Sequence, residues 1–328
     1  MDREIGAAAS FPALEAQKGS NMNAAVNLGK VGHTGKGHRR EWEYAWMFSG
    51  PAVLILLVMM AFPVVYTLYL SVTDWTPTLV GSAKFVGLQN YIKLMTQDER
   101  FLKALWRTIW FTITGVSIQC VLGVGLALIF NREFAGRGLI RTAFLMSMVA
   151  TPVAIALVWM MILDINTGIL NYFLNWVAGV RVAWLSNRSI VLWSMILVDT
   201  WQWTPFIMLI ALAGLSALPT EPYESAVIDG ASSAQLLWYL TLPMLRPTLM
   251  VALMFRSIDA LKTFDIIYVI TGGGPAYASE TLNLYAFSQG FAYFNMGYAS
   301  ALLALYFILV MGTSLLFIRL RRAASEAM

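Results

Sequence analysis

Five side chains stand out because their chemistry conflicts with their surroundings. Asp199, Trp203, Arg256, Asp259 and Lys262 all lie in stretches that are otherwise apolar. An ionisable group in hydrocarbon costs about 2.5–3.5 kcal/mol on insertion scales, so it faces a cavity, a partner or an opposite charge. Arg256, Asp259 and Lys262 recur three residues apart, with Asp265 beyond. On a helix that spacing permits pairing along one side, which offsets part of the cost. It equally permits a polar path through the membrane, and Arg256 would then favour an anionic solute. Asp199 and Trp203 stand one turn apart on one face, while Trp201 and Gln202 point elsewhere. A carboxylate beside an aromatic ring suits a hydroxyl-rich solute, because the ring stacks on apolar faces and the oxygens accept hydroxyl protons. The same tryptophans also suit an interfacial belt or simple packing. Asn295 and Tyr298 add polar groups near the start of the last apolar run.

A second stretch, ESAVIDGASSAQLLWYLTLP from Glu224 to Pro243, is amphipathic rather than apolar. Thr220 is placed to cap a helix, Pro222 fits its first turn, and Glu221 and Glu224 sit where the helix dipole favours negative charge. Gly230 stops that helix. A second is expected from near Ser232 to Leu240, ended by Pro243, with Leu236, Leu237 and Leu240 exposed beside Trp238 and Tyr239. The pair reads either as a solvated loop or as a docking surface. In the second case Gly230 allows close backbone approach and Glu224 offers a charge to a basic partner residue.

The elements that must position these groups follow from hydropathy. The chain of 328 residues is 59% hydrophobic and only 12% charged, against about a quarter charged in soluble domains. Mean hydropathy is +0.66, which marks an integral membrane protein. About 20 apolar residues cross the hydrocarbon core. Runs that satisfy this extend over Tyr44–Thr73, Thr108–Asn131, Thr142–Leu163, Ser189–Leu215, Pro247–Ile270 and Thr281–Ile318. The expected fold is all-α, with six transmembrane helices over 43–322 between a disordered tail, 1–42, and a short tail, 323–328. Basic residues at Lys36, Arg39 and Arg40, at Arg132, Arg137 and Arg141, at Arg246 and at Arg319, Arg321 and Arg322 flank one side of these helices. Both termini, and the segment 220–243 with them, are therefore expected in the cytoplasm. The outer loop Asp74–Arg107 and the piece Asn166–Gly179 have the amphipathic look of interfacial helices.

Several functions are disfavoured by what the sequence holds. Its single cysteine, Cys120, lies in an apolar run, and both histidines, His33 and His38, lie in the tail. No metal site, disulfide framework or catalytic nucleophile–base pair is expected. The tail sequence GKVGHTGKGHRR fails as a phosphate loop, since Lys30 occupies the first glycine position and Gly37 the Ser/Thr position. The basic residues flank apolar runs, so no nucleic-acid partner is expected.

The segment Glu224–Pro243 resembles the "EAA…DGA…LP" signature of permease subunits of binding-protein-dependent, ATP-driven importers. Glu224, Ala226, Asp229, Gly230, Ala231, Leu242 and Pro243 match it. Ser225 stands where alanine is usual, Leu237 where phenylalanine is usual and Leu240 where isoleucine is usual. FVGLQNYIKL, GILNYFL, DTWQWTPFIMLIALAGLSALP and TFDIIYVITGGGP extend the resemblance to the carbohydrate branch, from about Trp46 to Arg322. The resemblance implies the type I importer permease fold, a bacterial inner-membrane location and a coupling-helix pair at 220–243 seated on an ATPase. It implies a second homologous permease, an ATPase dimer that binds ATP and Mg, an external solute-binding protein and a carbohydrate solute. This chain would need no cofactor and catalyse no reaction. The mid-membrane charges also admit a stand-alone ion-coupled transporter, for which the docking segment would have no purpose.

Overall fold

A computed structural model describes residues 35–77 and 83–326, with side chains for 46–77 and 83–322. Contacts divide the chain into two units, Met1–Val64 and Val65–Met328. The described part of the first unit is helical. It belongs to α1, Gly35–Ser71, which carries Pro51 and Pro63 in its interior. Nearly all its described side chains are exposed, among them Phe48, Leu54, Met59 and Phe62. A helix apolar on every side is stable in lipid or against another chain, not in water. The tail expected as disordered over 1–42 falls outside the described residues up to 34, and its remainder, from Gly35, is helical. The C-terminal helix likewise continues into the expected tail, to Glu326.

The second unit is built on three long helices: α3, Glu99–Phe130, α7, Val191–Ser216, and α13, Met296–Glu326. At about 1.5 Å per residue each exceeds the ~30 Å hydrocarbon core. A fourth rod begins as α9, Ser233–Gln235, passes a π-helical turn at Leu236–Thr241 and continues as α10, Leu242–Leu261. Pro243 therefore does not end the helix. Proline lacks an N–H and its ring crowds the carbonyl four residues back. The chain widens there, with Leu242 N–H donating to Leu237 C=O, five residues back.

The third expected span, Thr142–Leu163, is not one helix. It divides into α4, Arg137–Val149, and α5, Pro152–Ile162, bent by 102°. Ala150 and Thr151 are extended, with ψ of 146° and 139°, because the residue before a proline is pushed out of the helical region. Neither piece crosses the hydrocarbon core alone, at about 20 and 16 Å. Among the described residues, counting the bent pair as one span gives six, as expected; counting straight helices gives five. The fifth expected run ends at Leu261 and restarts as α11, Asp265–Thr271. The sixth is interrupted too: α12, Leu282–Phe287, a π-helical turn at Ser288–Ala292, and only then α13.

The short elements sit at the loops. The outer loop forms α2, Gln89–Thr96. The expected interfacial piece forms α6, Ile169–Ala178, with Tyr172, Phe173 and Trp176 exposed. Buried Asn171 ties α6 down, donating to Val182 C=O and accepting from Val182 N–H and the Trp184 indole. The amphipathic segment contributes α8, Glu221–Ile228. The core lies along α7: Met195, Ile196 and Val198 pack with Ile155 and Ile267, and Met208, Ala211 and Leu212 pack with Val124, Phe130 and Leu245. α3 and α7 approach closely at Gly123, where a Cβ would lie 2.9 Å from Ile207 Cβ.

Candidate functional site

The buried charges meet where α3, α7 and α10 come together. Arg256 and Asp199 are each 1% exposed in their side chains, and the Arg256 Nη2 donates to Asp199 Oδ2. Gln119 of α3 closes the triangle: its Oε1 accepts from Arg256 Nε at 2.7 Å and its Nε2 donates to Asp199 Oδ2 at 2.8 Å. Arg256 Nη1 reaches Asp259 at 3.0 Å, and the guanidinium lies 5.2 Å from the centre of the Trp203 ring. Such an arrangement pairs the buried charges with each other, while Asp199 Oδ1 is buried without a hydrogen-bond partner among the described residues. Gly115 of α3 lies beside it: a Cβ there would make an ordinary contact of 3.7 Å with Asp199 Oδ2.

Around this core the exposed ends of the cluster face a groove of about 530 Å³. It is lined by Trp203, Phe206, Phe255, Arg256, Asp259 and Lys262. A smaller pocket of about 100 Å³ adjoins it, sharing Trp203, Asp259 and Lys262 and adding Asp199, Asp265 and Pro152. The groove thus presents an aromatic ring, a carboxylate and an ammonium over an apolar floor. That combination stacks on sugar faces and both donates to and accepts from hydroxyls.

Asp199, Trp203, Arg256 and Asp259 are therefore brought together. Lys262 is not part of the ion cluster: it is exposed and makes no ion pair among the described residues. The expected ladder along one helix face exists only as its first rung, Arg256–Asp259, because the second partner of Arg256 comes from α7. The sequence reading missed Gln119. The signal was present, a lone amide inside the run Thr108–Asn131, but only ionisable residues were weighed there. Gln202, expected to point away from Asp199, is wholly buried, and neither amide atom has a hydrogen-bond partner among the described residues.

The amphipathic segment forms the helical pair in a different detail from that expected. α8 ends in a Schellman motif: Ala231 N–H donates to Ala226 C=O at 2.9 Å and Gly230 N–H to Val227 C=O at 3.0 Å. Gly230 has φ +80° and nothing within 4 Å of its Cβ position. Ala226 and Ala231 are thus the two residues the motif brings together, and small side chains keep that turn slim. Ser232 and Gln235 then form a capping box that starts the next helix. Thr220 occupies the N-cap position of α8 but its hydroxyl makes no cap bond. Glu224, Asp229 and Gly230 are exposed, whereas Leu242 and Pro243 are half-buried. Leu236, Leu237 and Leu240 are half-buried as well, not exposed. The exposed apolar residues are Val227, Ile228, Trp238 and Tyr239. The π-helical turn explains the exchange, since it rotates the side chains relative to an α-helical count. Tyr223 locks the pair, donating to Thr241 Oγ1 at 3.1 Å.

Residues 119–325 match the family described as "Binding-protein-dependent transport system inner membrane component". Among curated relatives, a probable ABC transporter permease protein, y4oQ, of Sinorhizobium fredii is 39% identical over 85% of this chain and 90% of its own length. The trehalose/maltose transport system permease protein MalF of Thermococcus litoralis is 35% identical over 88% of this chain and 97% of its own. The sulfoquinovosyl glycerol transport system permease protein SmoG of Agrobacterium fabrum is 32% identical over 85% and 90%. In fold, the chain resembles one in a bacterial alginate ABC transporter crystallised with an alginate-bound periplasmic protein. The TM-score is 0.76 at 21% identity, covering 88% of this chain and 96% of that one. With a helical core, long apolar spans and a turn-linked helix pair on one of them, this chain belongs to the family of binding-protein-dependent transport system inner membrane components and is a multi-pass permease subunit.

Proposed function

We propose that the chain forms half of the translocation path of an ATP-driven carbohydrate importer in a bacterial inner membrane, with both termini in the cytoplasm. A second, homologous permease supplies the other half, and an external binding protein delivers the solute. ATP and Mg are bound by a separate ATPase dimer, so this subunit catalyses no reaction. The carbohydrate class is supported by the relatives, whose names specify trehalose, maltose and sulfoquinovosyl glycerol.

The observation that carries the mechanism is a continuity. The rod that begins beside Gly230, in the exposed helix pair, is the rod that carries Arg256 and Asp259. From Leu242 to Arg256 the α-helical rise is about 21 Å, enough to link a cytoplasmic surface to mid-membrane. Closure of the ATPase dimer would push on Glu224, Asp229 and the apolar residues Val227 and Ile228. The rod would carry that displacement to Arg256, whose pairing with Asp199 makes α7 move with it. Alternating access follows: the groove beside Trp203 opens outward to receive solute, then inward. An ion-coupled transporter would use Asp199 or Arg256 as its titrating or binding group, yet the two are already paired with each other and both bonded to Gln119.

The test is co-expression of the tagged chain with its genomic neighbours, purification in mild detergent and reconstitution. Co-purification of an ATPase and a second permease is expected, with uptake of labelled trehalose or maltose that needs ATP and the binding protein. A chain that purifies alone and takes up solute on an ion gradient without ATP overturns the proposal.

A further inference from the structure

We infer that the permease carries a second carbohydrate-binding site, an outer vestibule separate from the mid-membrane groove, formed where α2, the start of α3, α12 and the start of α13 converge. The inference rests on the reading that the solute is a carbohydrate. The cavity holds about 330 Å³ and is lined by Trp75, Asn90, Lys93, Asp98, Asn295 and Tyr298, among others. Its size falls at the lower end of ligand pockets, about 300–1,000 Å³, which suits one or two sugar rings.

The wall is built, not incidental. Asp98 accepts from Phe101 N–H with one oxygen, and its other oxygen accepts from the hydroxyls of both Tyr285 and Tyr298. Gln289 donates to Tyr285 Oη at 2.9 Å and accepts from Asn295 Nδ2 at 3.2 Å. Asn90 donates to the carbonyls of Ser71 and Thr73, and Gly297 N–H to that of Trp75, so the floor is held from three sides. These bonds fix orientation and leave specific groups over. The ammonium of Lys93 lies 5.4 Å from the Tyr298 ring centre and makes no ion pair among the described residues, so its donors are free. The Oδ1 atoms of Asn90 and Asn295 have no hydrogen-bond partner among the described residues. Free donors and acceptors thus both line a pocket whose rings are Trp75, Tyr285 and Tyr298. Hydroxyls, which donate and accept at once, satisfy such a wall. A simple anion would face Asp98 and Asp74, and a simple cation would face Lys93.

Position supports the same assignment. α12 stands between this vestibule and the mid-membrane groove. Its Asn283 donates to the Lys262 carbonyl at 2.9 Å, while its Tyr285 forms the vestibule wall. A solute released at the outer surface would therefore have a holding point one short helix away from the groove.

The test uses the complete transporter in nanodiscs without its binding protein, probed by saturation-transfer NMR with trehalose, maltose and glycerol. Wild type is expected to give a sugar signal. The double variant Lys93→Ala/Asn295→Ala, altered at two exposed positions, should weaken that binding about tenfold. Trp203→Ala, in the groove, should leave it in place. Equal binding by wild type and the double variant, or loss through Trp203→Ala alone, overturns the vestibule. Absence of any signal while wild type still performs ATP-driven sugar uptake also overturns it and leaves the importer reading intact. Absence of both sugar binding and sugar uptake overturns the two together.

Discussion

Arg256 of α10 and Asp199 of α7 are 57 residues apart in sequence, yet their side chains meet with 1% of each exposed. Neither charge is satisfied by its own helix alone. Removing one partner of a buried pair strands the other, which costs about 3–5 kcal/mol. Asp199→Ala and Arg256→Ala are each expected to lower the unfolding temperature sharply in detergent. The double variant Asp199→Leu/Arg256→Met should recover most of that stability while transport stays lost, because shape is kept and the polar link between α7 and α10 is gone. A double variant no more stable than the singles would count against this account.

Gly123 sets how closely α3 and α7 pack. A valine there would drive its Cβ into Ile207 and the Met208 backbone nitrogen, at 2.9 and 3.0 Å. Overpacking of this kind costs about 1–3 kcal/mol. The expected result for Gly123→Val is a lower unfolding temperature and reduced yield of folded protein, whereas Gly125→Ala, with open space around it, should change neither. Unchanged stability of Gly123→Val would show that the helices can separate without cost.

Gly230 distinguishes conformation from size. Its φ of +80° strains any residue with a Cβ, but nothing stands within 4 Å. Asparagine tolerates the left-handed region better than leucine. Gly230→Leu is expected to abolish ATP-driven uptake while the chain still inserts in the membrane. If only backbone conformation matters, Gly230→Asn should retain substantial uptake. Loss in both variants, with folding intact, would mean that the ATPase needs the bare glycine surface. Normal uptake by Gly230→Leu would remove the segment from the coupling mechanism.

Asp98 confers a pH dependence. Burial alone would raise its carboxyl, but hydrogen bonds from Tyr285, Tyr298 and the backbone outweigh that and hold it below its ordinary 3.8. A carboxylate depressed on folding adds stability that is complete above the unfolded value and lost as pH falls through the folded one. Wild type should therefore exceed Asp98→Asn in unfolding temperature near neutral pH. The gap should narrow once pH drops below about 4. A gap independent of pH would show that the tyrosines bind the neutral acid equally well.

Hydropathy and motif spacing by themselves determined much of this protein: an all-helical membrane chain, the limits of the fourth span to within two residues, and a helix stop at Gly230. Those features are local. Apolar length fixes whether a segment can cross a bilayer, and a glycine followed by a serine cap fixes a helix break whatever surrounds it. The break at Thr151–Pro152 was equally local and legible, but run length alone concealed it. Tertiary structure decided what depends on which faces meet. Spacing within the fifth run suggested that Arg256 pairs along its own helix, and only the packing of α3 and α7 against α10 supplied Asp199 and Gln119. The π-helical turn that carries the rod past Pro243, and with it the exposure of Trp238 in place of Leu237, has by contrast a local cause in the proline itself, which an α-helical count with a stop at Pro243 does not capture. A side chain's partner across 57 or 137 residues is set by helix crossing, and no periodicity within one helix encodes it.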